Sequence, residues 1–569
     1  MGSYLTPLIQ LQRFFLPALL ALLVWATWRM RWRKDLAVGL ALYLGLVIIV
    51  DGFMNTGIYL PGLEKGSIRY SEVCAAFLLF TRPPASPRRS PYGAVCFFVG
   101  LYFSLLLFST FRSDSVASGI AEFRMIMIPQ IVALLLAIRG FGSPADYRRF
   151  ILSLTAVVFV IALFDFWDIF FDRWLLHSDS LFTPKYWLNR QHGRFGSVFL
   201  NPNMLGAFTV LIFPATFIVA MNESNLWRRL YAWSGLLALV FCLVETQSRG
   251  PLLALGISLM LLTIGPCGGV SRSRRLGFLA ALAVVFTLFM PGFYEHAMQR
   301  FAEDELQKEM TTEDGRTRET VWGYARLMIA DNPITGIGFG EKQFVIAIDA
   351  LGFRDKYGEE PLDNPHNSYL QMAVYAGIPA LAAFILANLA LLWRAACVCW
   401  RHADDRTTKA VFGTVVGVAG FLAVIYPDMH MFTPAVSPVF WVFFGLLLSL
   451  TTEISQPAPA VKPYEISRAH FGDAGQRLAG QSASLPPQYH RDRPRAAAAG
   501  ADRSRQGRTA TPDGPPLRSG AYAQQAPVQP RPVAGPFGVR GEDRRGELLP
   551  RRGTGRVLAP GTDTRRRER

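Results

Sequence analysis

Four polar segments in an otherwise apolar chain carry the residue types that could do chemistry. The first is Arg194-Phe-Gly-Ser-Val-Phe-Leu-Asn201-Pro202-Asn203, and the second is Glu245-Thr246-Gln247-Ser248-Arg249-Gly250. The third runs from Asp314-Gly315-Arg316-Thr-Arg318 through Trp322 to Asn332-Pro333-Ile-Thr-Gly336-Ile-Gly338-Phe-Gly340. The fourth is Asn364-Pro365-His366-Asn367-Ser368-Tyr369. Guanidinium groups such as Arg249 and Arg316 offer planar, paired donors to a phosphate and stay charged in low dielectric. The stretch 293–366 holds 15 acidic against 8 basic residues, so a phosphate would bind there only beside local arginines. A neutral imidazole at His366 can accept a proton. The helix start that Asn367 and Ser368 announce can also support an anion.

Each segment alone has a plainer explanation. Asn201-Pro202-Asn203 is a turn and helix-start signal, and Arg249 alone reads equally as a helix-end residue snorkelling to the interface. Gly336-x-Gly338-x-Gly340 follows no strand, so tight turns explain it better than a nucleotide. Trp322 and Tyr369 read as interfacial anchors. No His-Glu-x-x-His zinc motif and no closely spaced hydrolase-type carboxylate pair is present.

What must position these groups is a membrane bundle. The chain has 569 residues, 51% hydrophobic and only 18% charged, with a mean hydropathy of +0.25. A soluble protein carries roughly 25% charged residues. Of the net charge of +16, +10 sits in residues 451–569. This excludes a soluble enzyme, a secreted disulfide scaffold and a DNA-binding domain. Apolar runs long enough to cross a bilayer predict spans at 8–28, 36–53, 70–81, 93–110, 119–138, 150–171, 204–221, 230–246, 251–265, 275–292, 368–393, 410–426 and 433–450. The runs at 70–81 and 251–265 are short, so the fold expected is an all-α polytopic bundle of 12–13 spans.

Four regions follow: helices in 1–292, one large outer loop segment in 293–367, helices in 368–450, and a polar tail in 451–569. The tail is rich in Pro, Arg, Gly and Ala and cannot bury enough surface to order itself, so it is expected to be disordered. Alternate loops carry nineteen basic residues, from Arg29–Lys34 to Arg394–Lys409, against eight in the short loops of the other face. The richer face is expected to be cytoplasmic. All four polar segments and the turn at 427–432 then face outward, and the tail lies in the cytoplasm. No cleavable signal peptide is expected, since the first apolar run continues into Arg29–Lys34. None of the six cysteines falls in the outer segment, which excludes an outer disulfide framework.

The ordered series Arg-x-x-Gly…Asn-Pro-Asn, Thr-x-Ser-Arg-Gly, Gly-Arg…Trp…Asn-Pro-x-x-Gly-x-Gly and His-Asn-x-Tyr-Leu-Gln…Gly-Ile-Pro resembles the O-antigen ligase and polymerase superfamily. It runs from about 190 to 380, and the helix layout fits over most of 1–450, although ligases of this kind have twelve helices. The resemblance implies a metal-independent, inverting glycosyltransferase of the inner membrane with no cofactor and no nucleic-acid partner. Its donor would be a glycan on undecaprenyl diphosphate at the periplasmic face. Its acceptor would be lipid A–core in a ligase, or another lipid-linked repeat unit in a polymerase. Arg249 and Arg316 match the diphosphate-binding arginines and His366 the catalytic histidine. Arg194, Asn203 and Arg318 are matched only by proximity to a motif. A lipid-linked glycan transporter is the competing class, but it predicts pseudo-repeated halves and broken helices, and the outer segment 293–367 breaks any such symmetry.

Overall fold

A computed structural model describes residues 35–53, 57–59, 67–80, 93–141, 143–170, 194–265, 318–358, 361–402 and 406–454, with a few isolated positions in 273–280. All lie in one compact unit, Met1–His470. The predicted spans at 8–28 and nearly all of 275–292 lie outside these residues, as does the tail beyond 454.

The described chain is helical, as expected. Helices α1 (Leu36–Gly45, running on as a π-helix Leu46–Phe53), α2 (Tyr70–Leu79), α3 (Gly93–Thr110), α4 (Val116–Gly140), α5 (Pro144–Phe170) and α6 (Pro202–Asn222) come first. Next come α7 (Leu226–Thr246), α8 (Arg249–Ile264), α9 (Arg318–Asp331), α10 (Glu341–Ala350) and α11 (Phe353–Tyr357). The set closes with α12 (Ser368–Arg401), α13 (Arg406–Val424) and α14 (Ser437–Ile454). Among the described residues, seven helices are long and apolar enough to cross a membrane, and four further apolar helices are shorter. One departure from an all-α chain is an antiparallel strand pair, Gly57–Tyr59 with Ser67–Arg69. Between α8 and α12, where a loop segment was expected, the described residues form the helices α9, α10 and α11.

The organising element is α6. Asn201 caps it by accepting the Asn203 N–H at 2.9 Å, and Pro202 opens its first turn, where no donor is needed. Its apolar stretch is 89% buried, because α5, α7, α8 and α13 surround it. Between membrane helices the hydrophobic effect adds little, and close packing through small residues does the work. Accordingly α13 meets α6 along Gly413-x-x-x-Gly417: a Cβ at Gly413 would lie 2.6 Å from Ile218 and 3.0 Å from the Pro214 carbonyl. A second centre is Trp441 of α14, fully buried among Tyr102, Phe103, Phe384 and Phe440. Its Nε1 donates to Gln130 Oε1 of α4 at 2.7 Å, and Gln130 Nε2 donates to the Met431 carbonyl at 3.0 Å. That relay fixes the turn between α13 and α14 from inside the bundle.

The loop after α9 is stapled to the bundle at a break in α12. Gly377 has φ 81° and ψ 172° there, and Pro379 follows. Backbone groups freed inside a membrane must find partners. The loop after α9 supplies them: Ile378 N–H donates to the Pro333 carbonyl at 2.7 Å, and Ile337 N–H donates to the Val374 carbonyl at 2.9 Å. Gly336, Gly338 and Gly340 all take positive φ (67°, 114° and 125°), as turns that tight require. A Cβ at Gly336 would clash with the Tyr375–Ala376 backbone. Further on, Ser113 Oγ donates to the Phe339 carbonyl at 2.8 Å, and Glu341 N–H donates to Glu122 Oε2 at 2.8 Å, tying the segment to α4 and the turn before it.

Candidate active site

At the Asn201 end of α6, four chain segments meet through hydrogen bonds. The two-residue turn Gln247–Ser248 joins α7 to α8, with Gln247 left-handed at φ 48°. Across it Phe195 N–H donates to the Glu245 carbonyl at 3.0 Å, and Arg194 Nε donates to the Thr246 carbonyl at 3.3 Å. Asn203 is the hub. Its Oδ1 accepts from Arg194 Nη2 at 2.9 Å and from Ser248 Oγ at 2.7 Å, while its Nδ2 donates to Asp428 Oδ2 at 2.6 Å. This leaves the amide no choice of orientation, since its oxygen faces donors and its nitrogen a carboxylate. Arg249 begins α8 immediately after Ser248 and is half-buried. Gly250 adjoins Pro427, where an added Cβ would sit 3.9 Å from Pro427 Cγ.

His366 arrives from the other side. It precedes the cap of α12, Asn367, whose side chain accepts the Tyr369 and Leu370 N–H groups at 3.0 Å each. Its own backbone is left-handed, φ 47°, a conformation that costs a non-glycine residue about 1–2 kcal/mol. The loop is held in it by an Asx turn, with His366 N–H donating to Asn364 Oδ1 at 2.9 Å, and by Trp322 Nε1 donating to the Pro365 carbonyl at 2.8 Å. Trp322 also stands edge-on to Tyr426, ring centres 5.8 Å apart, and Tyr369 Oη donates to the Leu422 carbonyl at 2.8 Å. The polar ends of these two aromatics, expected at the interface, are thus bonded within the protein.

Asp428 joins the two halves. His366 Nδ1 lies 3.8 Å from Asp428 Oδ1 and His430 Nε2 lies 3.8 Å from Asp428 Oδ2, with side-chain exposures of 13% for His366, 5% for Asp428 and 0% for His430. The Met429 N–H donates to Asp428 Oδ1 at 2.9 Å. The Asp428 carbonyl accepts Ser368 N–H at 2.9 Å and Ser368 Oγ at 2.8 Å, locking the turn to the start of α12. Burial pushes the Asp428 carboxyl up, but His430, His366 and Arg318 outweigh it and hold the group ionised, below the usual carboxylate range. Burial lowers the His430 imidazole more than Asp428 raises it, so that ring stays neutral. Arg318, exposed at the first turn of α9, is close enough for its charge to act on both.

Of the six expected residues, Arg194 and Asn203 are bonded to each other, His366 meets the same network through Asp428, Arg249 adjoins it in sequence, and Arg318 reaches it by charge. Arg316 lies outside the described residues. Two members were missed, Asp428 and His430. The pattern that signals them is Asp-Met-His in a short turn between two apolar spans, where polar groups are costly unless used. Among the described residues no group of three or more His, Cys, Asp or Glu side chains could hold a metal ion.

Fold and site together define a polytopic membrane protein with a carboxylate-and-imidazole cluster, flanked by arginines, at one end of its bundle. Residues 234–385 match the model of the O-antigen ligase family, which supports the superfamily that the order of the motifs led us to expect. The matched stretch contains Arg249, Arg316, Arg318 and His366, whereas Arg194, Asn203 and Asp428 lie outside it. No curated protein matches the chain.

Proposed function

We propose that this protein is a membrane-embedded glycosyltransferase that moves a glycan from undecaprenyl diphosphate to an acceptor hydroxyl at the periplasmic face of the inner membrane. In the ligase form the acceptor is lipid A–core. The observation that carries this reading is the approach of His366 Nδ1 to the ionised Asp428, 3.8 Å away, on a network that reaches the residue next to Arg249. With Nδ1 turned toward the carboxylate, Nε2 is the nitrogen that accepts a proton, the division of labour by which a buried Asp orients a catalytic histidine. His366 Nε2 takes the acceptor hydroxyl proton as the oxygen attacks the anomeric carbon. The bond from that carbon to the diphosphate oxygen breaks, with inversion, and its electron pair leaves on the diphosphate. Arg249 and Arg316 stabilise the charge that develops there, and losing one such contact costs about 10²–10³ in rate. The diphosphate is already a good leaving group, so the step needs neither a metal nor a separate general acid. Polymerase activity uses the same donor chemistry and differs only in the acceptor. Expression in a strain lacking its own ligase separates the two: capped lipopolysaccharide is the outcome for a ligase, and lengthened lipid-linked glycan without capping the outcome for a polymerase. Neither product, from a protein inserted at normal level, would end this reading.

A further inference from the structure

The far end of α6 carries a site the transferase reading does not use. With 21 residues, α6 sets its two ends about 30 Å apart, close to the hydrocarbon thickness of a bilayer. At the Asn222 end, a cavity of about 280 Å³ opens between the first turn of α5, the last turn of α6 and the start of α13. Ile218, Val219 and Ala410 give it an apolar wall, and Arg148, Glu223 and Lys409 give it charge. Glu223 is the unusual member. Its side chain is 1% exposed, yet only Oε1 accepts a hydrogen bond, from the Asn225 N–H at 3.1 Å. Oε2 is buried without a hydrogen-bond partner, and Arg148 Nη1 stands off from it at 3.6 Å. A buried carboxylate oxygen lacking a hydrogen bond is costly, and Glu223 is one of the residues around the cavity.

We infer that this cavity binds the headgroup of a phospholipid bearing a primary ammonium, of the phosphatidylethanolamine type. Arg148 and Lys409 take the phosphate. The ammonium gives Glu223 Oε2 the donor it lacks, and the apolar wall receives the upper acyl chain. Two cations and one buried anion match a headgroup of phosphate plus ammonium. A phosphatidylglycerol headgroup offers Glu223 no cation, and a phosphatidylcholine headgroup offers a cation without N–H donors. The inference stands apart from glycan transfer and rests on the membrane bundle alone.

The test uses the full-length protein in detergent, mixed in turn with phosphatidylethanolamine, phosphatidylcholine, phosphatidylglycerol and inorganic phosphate, with bound lipid read by native mass spectrometry. Phosphatidylethanolamine should be retained about tenfold more tightly than the other two lipids, the worth of one charge-assisted hydrogen bond. Glu223→Gln should remove that preference, and Lys409→Gln should weaken all three lipids together; the latter serves if the former does not fold. Equal retention of the three lipids, or a preference that survives Glu223→Gln, overturns the inference. Inorganic phosphate competing as well as the ethanolamine lipid reduces the site to a plain anion site and overturns it as well.

Discussion

The two ends of α6 are built from the same materials to opposite effect. At the Asn201 end every polar atom of Asn203 is engaged, by Arg194, Ser248 and Asp428, and the groups around it are held in one arrangement. At the Asn222 end, Asn222 turns back on its own helix, donating to the Ile218 carbonyl at 2.8 Å, and the neighbouring Glu223 keeps an oxygen without a hydrogen bond beside an open cavity. Satisfied buried networks are rigid, while an unsatisfied buried group is unstable until something binds it. The first end therefore suits chemistry, which needs groups in place before the substrate arrives, and the second suits a ligand that stays.

That contrast breaks most completely at His366. Substituting it by Ala should abolish glycan transfer in the complementation strain while protein level and insertion stay normal, and transfer by the unaltered protein should persist in EDTA. Normal transfer by the alanine variant removes His366 from the step. Arg249→Ala and Arg316→Ala should each lower the transfer rate by about 10²–10³, as expected for lost stabilisation of developing charge. Donor affinity should fall as well, which distinguishes them from His366→Ala. Variants with unaltered rates would mean the diphosphate is held elsewhere.

Asn203→Ala sharpens the comparison, because Asn203 touches none of the reacting atoms in this scheme and works by placing Asp428. It leaves Asp428 Oδ2 without its 2.6 Å donor, and a buried charge-assisted hydrogen bond is worth about 1.5–3 kcal/mol. The expected loss in rate is about 10–100-fold, accompanied by a shift in the pH profile of transfer, since the carboxylate orienting His366 is no longer fixed. A loss in rate with an unshifted profile would assign Asn203 a merely structural role. Gly377→Ala tests the staple rather than the cluster. A Cβ there would strike the Ile334 carbonyl, at a φ of 81° that L-residues avoid. The loop 333–338 should undock and thermal stability in detergent should drop, as for any side chain forced into the left-handed region, by about 1–3 kcal/mol. An unchanged melting temperature would show that the bundle does not need the staple.

Much of this was legible from residue order. Hydropathy marks the spans, because a chain in lipid has few other options, and Asn367 announces the start of α12 by the capping habit of its side chain. The stretch around His366 and the turn at Ser248–Arg249 stand out because polar groups are rare in such a chain. What sequence could not deliver is the joint between them. Asn203 and Asp428 are 225 positions apart, and only the packing of α13 on α6 brings them to 2.6 Å. Gly377 was hidden for a similar reason. A glycine in an apolar run reads as helix until a second segment, here Pro333–Gly338, is seen to satisfy the broken backbone. The helices α9, α10 and α11 were missed because α9 interleaves its apolar residues with Arg318, Glu319, Arg326 and Asp331 and buries only Val321, Ala325 and Met328.

The smallest effect concerns pH, and it belongs to the Asn201 end alone. His430 is buried and neutral, its imidazole pushed below the ordinary 6.5, whereas in the unfolded chain it titrates near that value. Above 6.5 neither state takes up a proton. As pH falls through 6.5 the unfolded chain binds one that the fold refuses, so stability declines until the folded value is reached. Asp428 acts in the same sense at lower pH: held ionised below its ordinary 3.8, it stabilises the fold above that value and loses the contribution as pH drops beneath it. Thermal unfolding in detergent should therefore show a first decline beginning near pH 6.5 and a second beginning near pH 4. His430→Gln should flatten the first and, because His430 also helps to hold Asp428 ionised, weaken the second. If the first decline survives that substitution, the proton is going elsewhere, and the imidazole beside Asp428 is not the group whose burial costs the fold a proton.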